Sequence, residues 1–272
     1  MFQSFRIGAP FGVEVKVHGT LVVLVAVMAL GQLFGGGLQA AMMFLLMSLL
    51  VFASVTLHEL GHIAAAALFG IGTTGLTLYP IGGIARLTRE ARSATEEVVV
   101  ALAGPLVNIV LASFGALVVV LFGGGELSNV FIAVNLVMAI FNLLPAYPMD
   151  GGRVLKGVLW RFKGRAQATE WAARAGQWGA GLLGVAGLLY GQITLLFIAG
   201  FIYLQATAER RRVTLGSAPG SRVEVIPAGA SPGYRGWPRP AEQVQASYVE
   251  DARGARVVYM RTPWGGLQRW EL

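Results

Sequence analysis

The chain has no cysteine, which excludes disulfides, thiolate metal sites and thiol nucleophiles. Any metal it holds must therefore be bound by histidine and carboxylate. Charge is scarce too. Of 272 residues, 13% are charged and 55% hydrophobic, against a charged share of about 25% in ordinary soluble domains. Between Lys16 and Arg86 the only charged residue is Glu59, and between Glu97 and Arg153 there are only Glu126 and Asp150. A water-soluble domain does not run that far without surface charge, so the chain reads as a membrane protein. Histidine is limited to three positions and aspartate to two, so each of them carries information.

A spanning helix needs roughly 20 mainly apolar residues. Each charge-poor stretch holds two such spans and the region after residue 175 holds two shorter ones. They fall at about 19–35, 40–69, 95–122, 127–146, 175–190 and 192–209. The expected fold class is an all-α polytopic membrane protein of about six transmembrane helices, with a short N-terminal strand, a membrane-dipping β segment and a small C-terminal tail. The first apolar run, Thr20 to Phe34, has the length of a signal-peptide core. The apolar pattern resumes directly after "GQLFGGG", so the run reads as a retained span.

The net charge of +7 has a place in this topology. Arg86, Arg89 and Arg92 lie in one inter-span segment, Arg153, Lys156, Arg161, Lys163, Arg165 and Arg174 in another, and Arg210 to Arg212 after the last span. The short loops between them, "GQLFGGGLQA" and "FGGGELS", carry no basic residue. This is the positive-inside pattern. It predicts a multi-pass protein of the cell membrane with both termini in the cytoplasm, and it makes the lipid bilayer, not nucleic acid, the partner of the basic residues.

Val13, Val15 and Val17 alternate with Glu14, Lys16 and His18, a period of two that predicts a short strand over residues 10–18. The segment "GIGTTGLTLYPIGGIARLTRE" also reads as extended. Non-helical backbone at membrane depth must be buried in protein or line a watery cavity. It is therefore either a hairpin dipping beside a site, with an edge able to pair with an extended peptide, or an ordinary interfacial loop. The domain boundary is placed after Arg212: residues 1–212 form the membrane domain and 213–272 a cytoplasmic tail. In that tail residues 216 to 240 are a Pro- and Gly-rich tether, and a small hairpin is predicted across "DARGA".

The polar groups that interrupt the apolar spans carry the chemistry. In "HELGH", His58 and His62 are four residues apart, so on a helix both imidazoles share a face and reach one metal ion. Glu59 stands where its carboxylate can take a proton from an attacking water, the working logic of the HExxH metalloprotease motif. Ionisable groups in a spanning segment are costly and mark functional sites by default. Catalytic zinc commonly uses three protein ligands. Asp251 is in the tail and Glu126 belongs to a loop at the opposite face, which leaves Asp150 as the third candidate. Its alternative role is a helix cap paired with Arg153. Asn142, eight residues upstream, can hold substrate backbone or a developing oxyanion, or make an interhelical hydrogen bond. His18, at the junction of the first strand and first span, reads as interfacial or structural.

"HELGH" followed by "NLLPAYPMDGGR" resembles the site-2 protease family of intramembrane zinc metalloproteases, whose motifs are HExxH and N-x-x-P-x-x-x-x-D-G. His58, Glu59, His62, Asn142, Pro145, Asp150 and Gly151 match at every defined position. "PIGGIARL" and "ALAGPLVN" are similar to the family's membrane-dipping β segment and its following span, and the resemblance covers residues 8 to 210. It implies one zinc ion per chain held by His58, His62 and Asp150, with Glu59 as general base and later acid. It implies hydrolysis of peptide bonds in or next to a substrate's transmembrane helix, in regulated intramembrane proteolysis of partners such as anti-sigma or pro-sigma factors. A substrate helix must be unwound to expose its carbonyls, and the extended segment at Gly82 and Gly83 can hold the unwound strand by backbone pairing. The family's PDZ and CBS modules are not evident in this sequence. The competing classes are a divalent-cation transporter, which has no need of a glutamate beside the first histidine, and a catalytically inactive scaffold that binds membrane helices, which has no need of an intact motif.

Overall fold

The computed structural model describes residues 3–216 and, beyond them, strand segments at 224–225, 246–250, 256–261 and 267–271. The chain forms two compact units, Met1–Arg210 and Arg211–Leu272.

The first unit opens with β1 (Ser4–Gly8), a 3-10 turn at Pro10–Gly12, and β2 (Val15–His18), followed by the 50-residue helix α1 (Gly19–Leu68). The strand expected over 10–18 is thus shorter at its start, because Pro10 and the positive φ of Gly12 turn the chain before the alternating residues begin pairing. β1 is an addition to the expectation. His18 caps α1, its Nδ1 accepting from the Thr20 backbone at 3.3 Å, and its ring stacks on Tyr79.

α1 is not straight. Gly37 leaves helical geometry with φ 78°, a value that suits glycine. On an uninterrupted helix Leu21 and Ile63 would stand roughly 63 Å apart at 1.5 Å per residue. They share one buried cluster, with Val25 from the first arm and Phe52, Val55 and Leu60 from the second packed against it. The chain therefore doubles back at Gly37, and the two arms occupy the stretches expected as the first two spans.

Because α1 doubles back, it serves as the long crossover that parallel strands require. β2 pairs in parallel with β3 (Thr73–Tyr79), Val15 opposite Leu76 and Val17 opposite Leu78. β3 turns through Pro80 and Ile81 into antiparallel β4 (Gly82–Leu87), giving a sheet of order β1-β2-β3-β4. Val15, Leu76 and Leu78 are buried against α1. β4 lies at the edge of the sheet.

α2 (Ala94–Phe122) starts at Ser93, whose hydroxyl accepts from the Glu96 backbone at 3.1 Å. Its buried face is Glu97, Val100, Ala101, Gly104, Pro105, Asn108, Ala112 and Gly115. These are mostly small or polar residues at helical spacing, the kind that let membrane helices approach closely. The large apolar side chains point the other way. Leu106 and Val120 on α2, like Val27 and Leu49 on α1, are more than half exposed, an exterior suited to hydrocarbon. By length and composition α1 and α2 can cross a membrane; α3 (Glu126–Asn142) is apolar but shorter.

α3 ends four residues earlier than the expected span, since Pro145 and the segment after it leave the helix. An irregular stretch then leads into α4 (Asp150–Lys163), which the sequence reading treated as an inter-span segment. α5 (Arg165–Leu189) begins ten residues before the expected 175, so Arg165 and Arg174 belong to a helix and not a loop. α6 (Ile193–Gly216) follows.

In the second unit β5 (Glu224–Val225), β6 (Ala246–Glu250), β7 (Arg256–Arg261) and β8 (Leu267–Glu271) form an antiparallel sheet in sequence order. Glu250 pairs with Arg256, so β6 and β7 are the hairpin predicted across "DARGA", whose turn lies outside the described residues. The expected tether at 216–240 also lies outside them, apart from Gly216 and β5.

Candidate active site

His58 and His62 sit one turn apart on the second arm of α1, both buried, with their Nε2 atoms 3.1 Å apart. Asp150, the first residue of α4, brings Oδ2 to 3.2 Å from each Nε2. Three groups from two distant parts of the sequence thus converge on one point.

Hydrogen bonds on the far side of each ring decide what converges there. His62 Nδ1 lies 2.7 Å from the Val100 carbonyl, which only accepts, so Nδ1 carries the proton and Nε2 presents a lone pair. For His58 the same conclusion comes through a chain of amides. Asn135 Nδ2 donates to the Phe131 carbonyl at 2.9 Å and to Ser54 Oγ at 3.1 Å, which fixes the Asn135 amide. Its Oδ1 then accepts from Asn108 Nδ2 at 2.8 Å. That leaves Asn108 Oδ1 to accept from His58 Nδ1 at 2.5 Å.

With both rings neutral, two imidazole lone pairs and a carboxylate oxygen face one another, an arrangement that a cation satisfies. A tetrahedral zinc with nitrogen ligands at 2.0–2.1 Å would separate its ligand atoms by about 3.3 Å, close to the observed triangle. Outer hydrogen bonds that fix the tautomer and aim the ring are what metal-ligating histidines ordinarily have. The packing of α2 completes the cradle. A Cβ on Gly104 would collide with His62 Nε2 and stand 2.7 Å from His58 Nε2, and one on Gly61 would meet the Ala103 carbonyl at 2.9 Å. Gly61 lets α1 approach the backbone of α2, and Gly104 leaves room on α2 for the two imidazoles.

Glu59 lies next to His58, and β4 passes directly over it: a Cβ on Gly83 would stand 3.1 Å from Glu59 Cδ. Gly82, with φ 132°, opens the strand and has nothing within 4 Å of its missing Cβ position. Asp150 does make the pairing with Arg153, its other oxygen, Oδ1, lying 3.7 Å from Arg153 Nη1. It does not cap its helix; Met149 holds that position.

Gly151 and Gly152 adopt ordinary helical geometry, so they are not there to give the backbone freedom. Their missing Cβ positions are filled by the backbone of Leu143, Leu144, Ala146 and Tyr147, and the irregular segment folds tightly onto the first turn of α4. α5 clamps the same segment from outside. Tyr147 N donates to the Ala172 carbonyl at 3.3 Å, and a Cβ on Gly176 would collide with the Tyr147 carbonyl.

Asn142 ends α3, half-buried. Among the described residues no side-chain hydrogen bond joins it to His58, Glu59, His62 or Asp150. The amides that do lead to the site are Asn108 and Asn135, both fully buried, which the sequence reading did not single out. The signal available was their type: an amide in the middle of an apolar span is as conspicuous as a charge.

Residues 46–130 and 123–186 match the family described as Peptidase family M50. The chain belongs to peptidase family M50. Among the relatives of this M50 chain, a zinc metalloprotease of Methanocaldococcus jannaschii is 32% identical over 217 residues, covering 78% of this chain and 62% of its own. The putative zinc metalloprotease Rip3 of Mycobacterium tuberculosis is 34% identical over 239 residues, 79% of this chain and 60% of its own. The chain thus spans about three fifths of the length of these curated relatives. Among solved structures, the site-2 protease from M. jannaschii matches with a TM-score of 0.58 and 32% identity, covering 77% of this M50 chain and 96% of that one. The residues named in this site, from Ser54 to Gly176, all lie between 46 and 186, within the family match.

Proposed function

We propose that this M50 member is an intramembrane zinc metalloprotease that hydrolyses peptide bonds in or next to transmembrane helices of other membrane proteins. The observation that carries the proposal is the convergence of His58 Nε2, His62 Nε2 and Asp150 Oδ2 with Glu59 alongside. His58, His62 and Asp150 would hold one zinc ion per chain. When bound, zinc supplies Lewis-acid polarisation of a carbonyl and acidifies water.

The remaining chemistry is done by the chain's own groups. Glu59, fixed between α1 and β4, takes the proton of the attacking water on its carboxylate and returns it to the leaving amine. Asn108 and the Val100 carbonyl keep the two imidazoles in the tautomer that offers Nε2. Gly83 leaves room for Glu59, and the unpaired edge of β4 accepts an unwound segment of substrate as an added strand. Asn142 is proposed to meet substrate beyond the metal ligands. The membrane domain is residues 1–212, with six spans and both termini in the cytoplasm, and residues 213–272 form a cytoplasmic tail. Substrates are single-span proteins processed in regulated intramembrane proteolysis, such as anti-sigma or pro-sigma factors.

The test compares membrane proteomes of cells carrying the wild type and Glu59→Gln. Single-span proteins should accumulate uncut in the variant. Identical proteomes, with both proteins present at equal level, would refute the proposal.

A further inference from the structure

A buried group of charges lies beside the three converging atoms and has no part in the chemistry above. Glu97, in the first turn of α2, is 4% exposed, and Lys156, on α4, is 7% exposed. Arg153 Nε donates to Glu97 Oε1 at 3.1 Å, and Lys156 Nζ stands 3.5 Å from Glu97 Oε2. Arg153 reaches past Glu97 to Asp150, placing Nη1 3.7 Å from Oδ1.

The two cations differ in one respect. Both are held by Glu97, but the ion pair to Asp150 is made by Arg153. Burying ions costs several kcal/mol each unless they are paired, and apolar packing already joins α2 to α4, where a Cβ on Gly157 would meet the Val98 side chain. A mere link between these helices does not need a charge directed at Asp150. Asp150 and Arg153 are three residues apart on α4 and so share a face, and Glu97 fixes the guanidinium from the neighbouring helix. The result is a carboxylate with its two oxygens assigned to different tasks: Oδ1 toward a cation, Oδ2 toward both imidazoles.

We infer that Arg153, clamped by Glu97, is a positioning residue for the metal: it holds Oδ1 of Asp150 aside so that Oδ2 alone faces His58 and His62. The inference rests on the reading of His58, His62 and Asp150 as zinc ligands. At 3.7 Å the contact is an ion pair and not a hydrogen bond, so Arg153 acts by charge. Without it, the carboxylate is free to turn and present both oxygens to the metal or neither.

The experiment uses the full chain purified in detergent, with zinc affinity measured by chelator competition and cobalt loaded in place of zinc to read coordination from its visible spectrum. Arg153→Gln should weaken zinc binding about 10- to 100-fold, the range typical of partners that orient a ligand, and should change the cobalt spectrum. Lys156→Met removes the other cation on Glu97 and should leave both readouts at wild-type values. Arg153→Lys, which restores the charge, should recover part of the affinity, and it serves as the test if Arg153→Gln does not fold. Equal effects of Arg153→Gln and Lys156→Met, or wild-type affinity in both Arg153 variants, would reduce the cluster to a structural ion network and overturn the inference. Asp150→Ala separates this failure from that of the underlying reading: if it binds zinc as tightly as wild type, Asp150 is not a ligand at all.

Discussion

At the scale of single residues, the site is a set of lone pairs held in place by partners further out. His58 offers Nε2 because Asn108 takes its other nitrogen, and Asn108 is held by Asn135, which is held by Ser54 and the Phe131 carbonyl. Asn108→Ala removes the first link and lets the His58 ring turn or change tautomer. Zinc affinity should fall by about 10- to 100-fold while the protein remains folded, as measured by chelator competition and thermal unfolding. The three residues that converge were legible in the sequence. His58 and His62 stand four apart in a helix whose one charged residue is Glu59, and Asp150 is one of two aspartates. Their outer partners were not, because the pairing of Asn108 with His58 depends on which faces of α1 and α2 meet, and spacing along one helix does not contain that. The role of two glycines was hidden for the same reason: Gly151 and Gly152 are set by what packs against them and not by their own dihedral angles.

At the scale of elements, β4 is the piece that passes over Glu59, and the proposed function assigns it the substrate backbone. Its two-residue connection to β3 closes on the Tyr79–Gly82 pair, and Thr88 N donates to the Gly72 carbonyl at 2.9 Å. Alternation along the strand therefore turns the backbone groups of Gly82, Ile84 and Arg86 toward β3 and those of Gly83 and Ala85 toward the open edge. Proline is tolerated at an edge position whose N–H is unpaired. Ala85→Pro should thus leave zinc content intact but lower kcat/KM for a membrane-embedded substrate at least tenfold. An unchanged kcat/KM would remove β4 from substrate binding. The extended character of this segment was legible from its Gly, Thr and Pro content. α4 was not, because its basic residues were taken as loop. Yet Val154, Leu155, Val158, Leu159 and Phe162 recur at helical spacing, and the basic residues share the helix with them.

At the scale of the whole molecule, the account requires polar chemistry to be surrounded by an apolar exterior. α2 shows the arrangement within one helix: Asn108 and Gly104 inside, Leu106 and Val120 outside. The proposal of six spans with both termini cytoplasmic rests on the placement of the arginines and lysines. Fusions after Arg212 should give a fluorescent cytoplasmic reporter and an inactive periplasmic phosphatase, and the opposite pair of results would invert the topology. The first two apolar stretches were legible as separate helices: the two arms of α1 meet at Gly37, in the gap between the expected 19–35 and 40–69. The reversal needs a single glycine with positive φ.

The central claim is that Glu59 moves the proton at a zinc site built by His58, His62 and Asp150. The most direct measurement takes purified wild type and Glu59→Gln, determines zinc in each by elemental analysis, and follows cleavage of a single-span substrate reconstituted with each in lipid. The account predicts equal zinc in the two proteins and cleavage by the wild type alone. A Glu59→Gln protein that retains zinc and still cleaves at a comparable rate would contradict it.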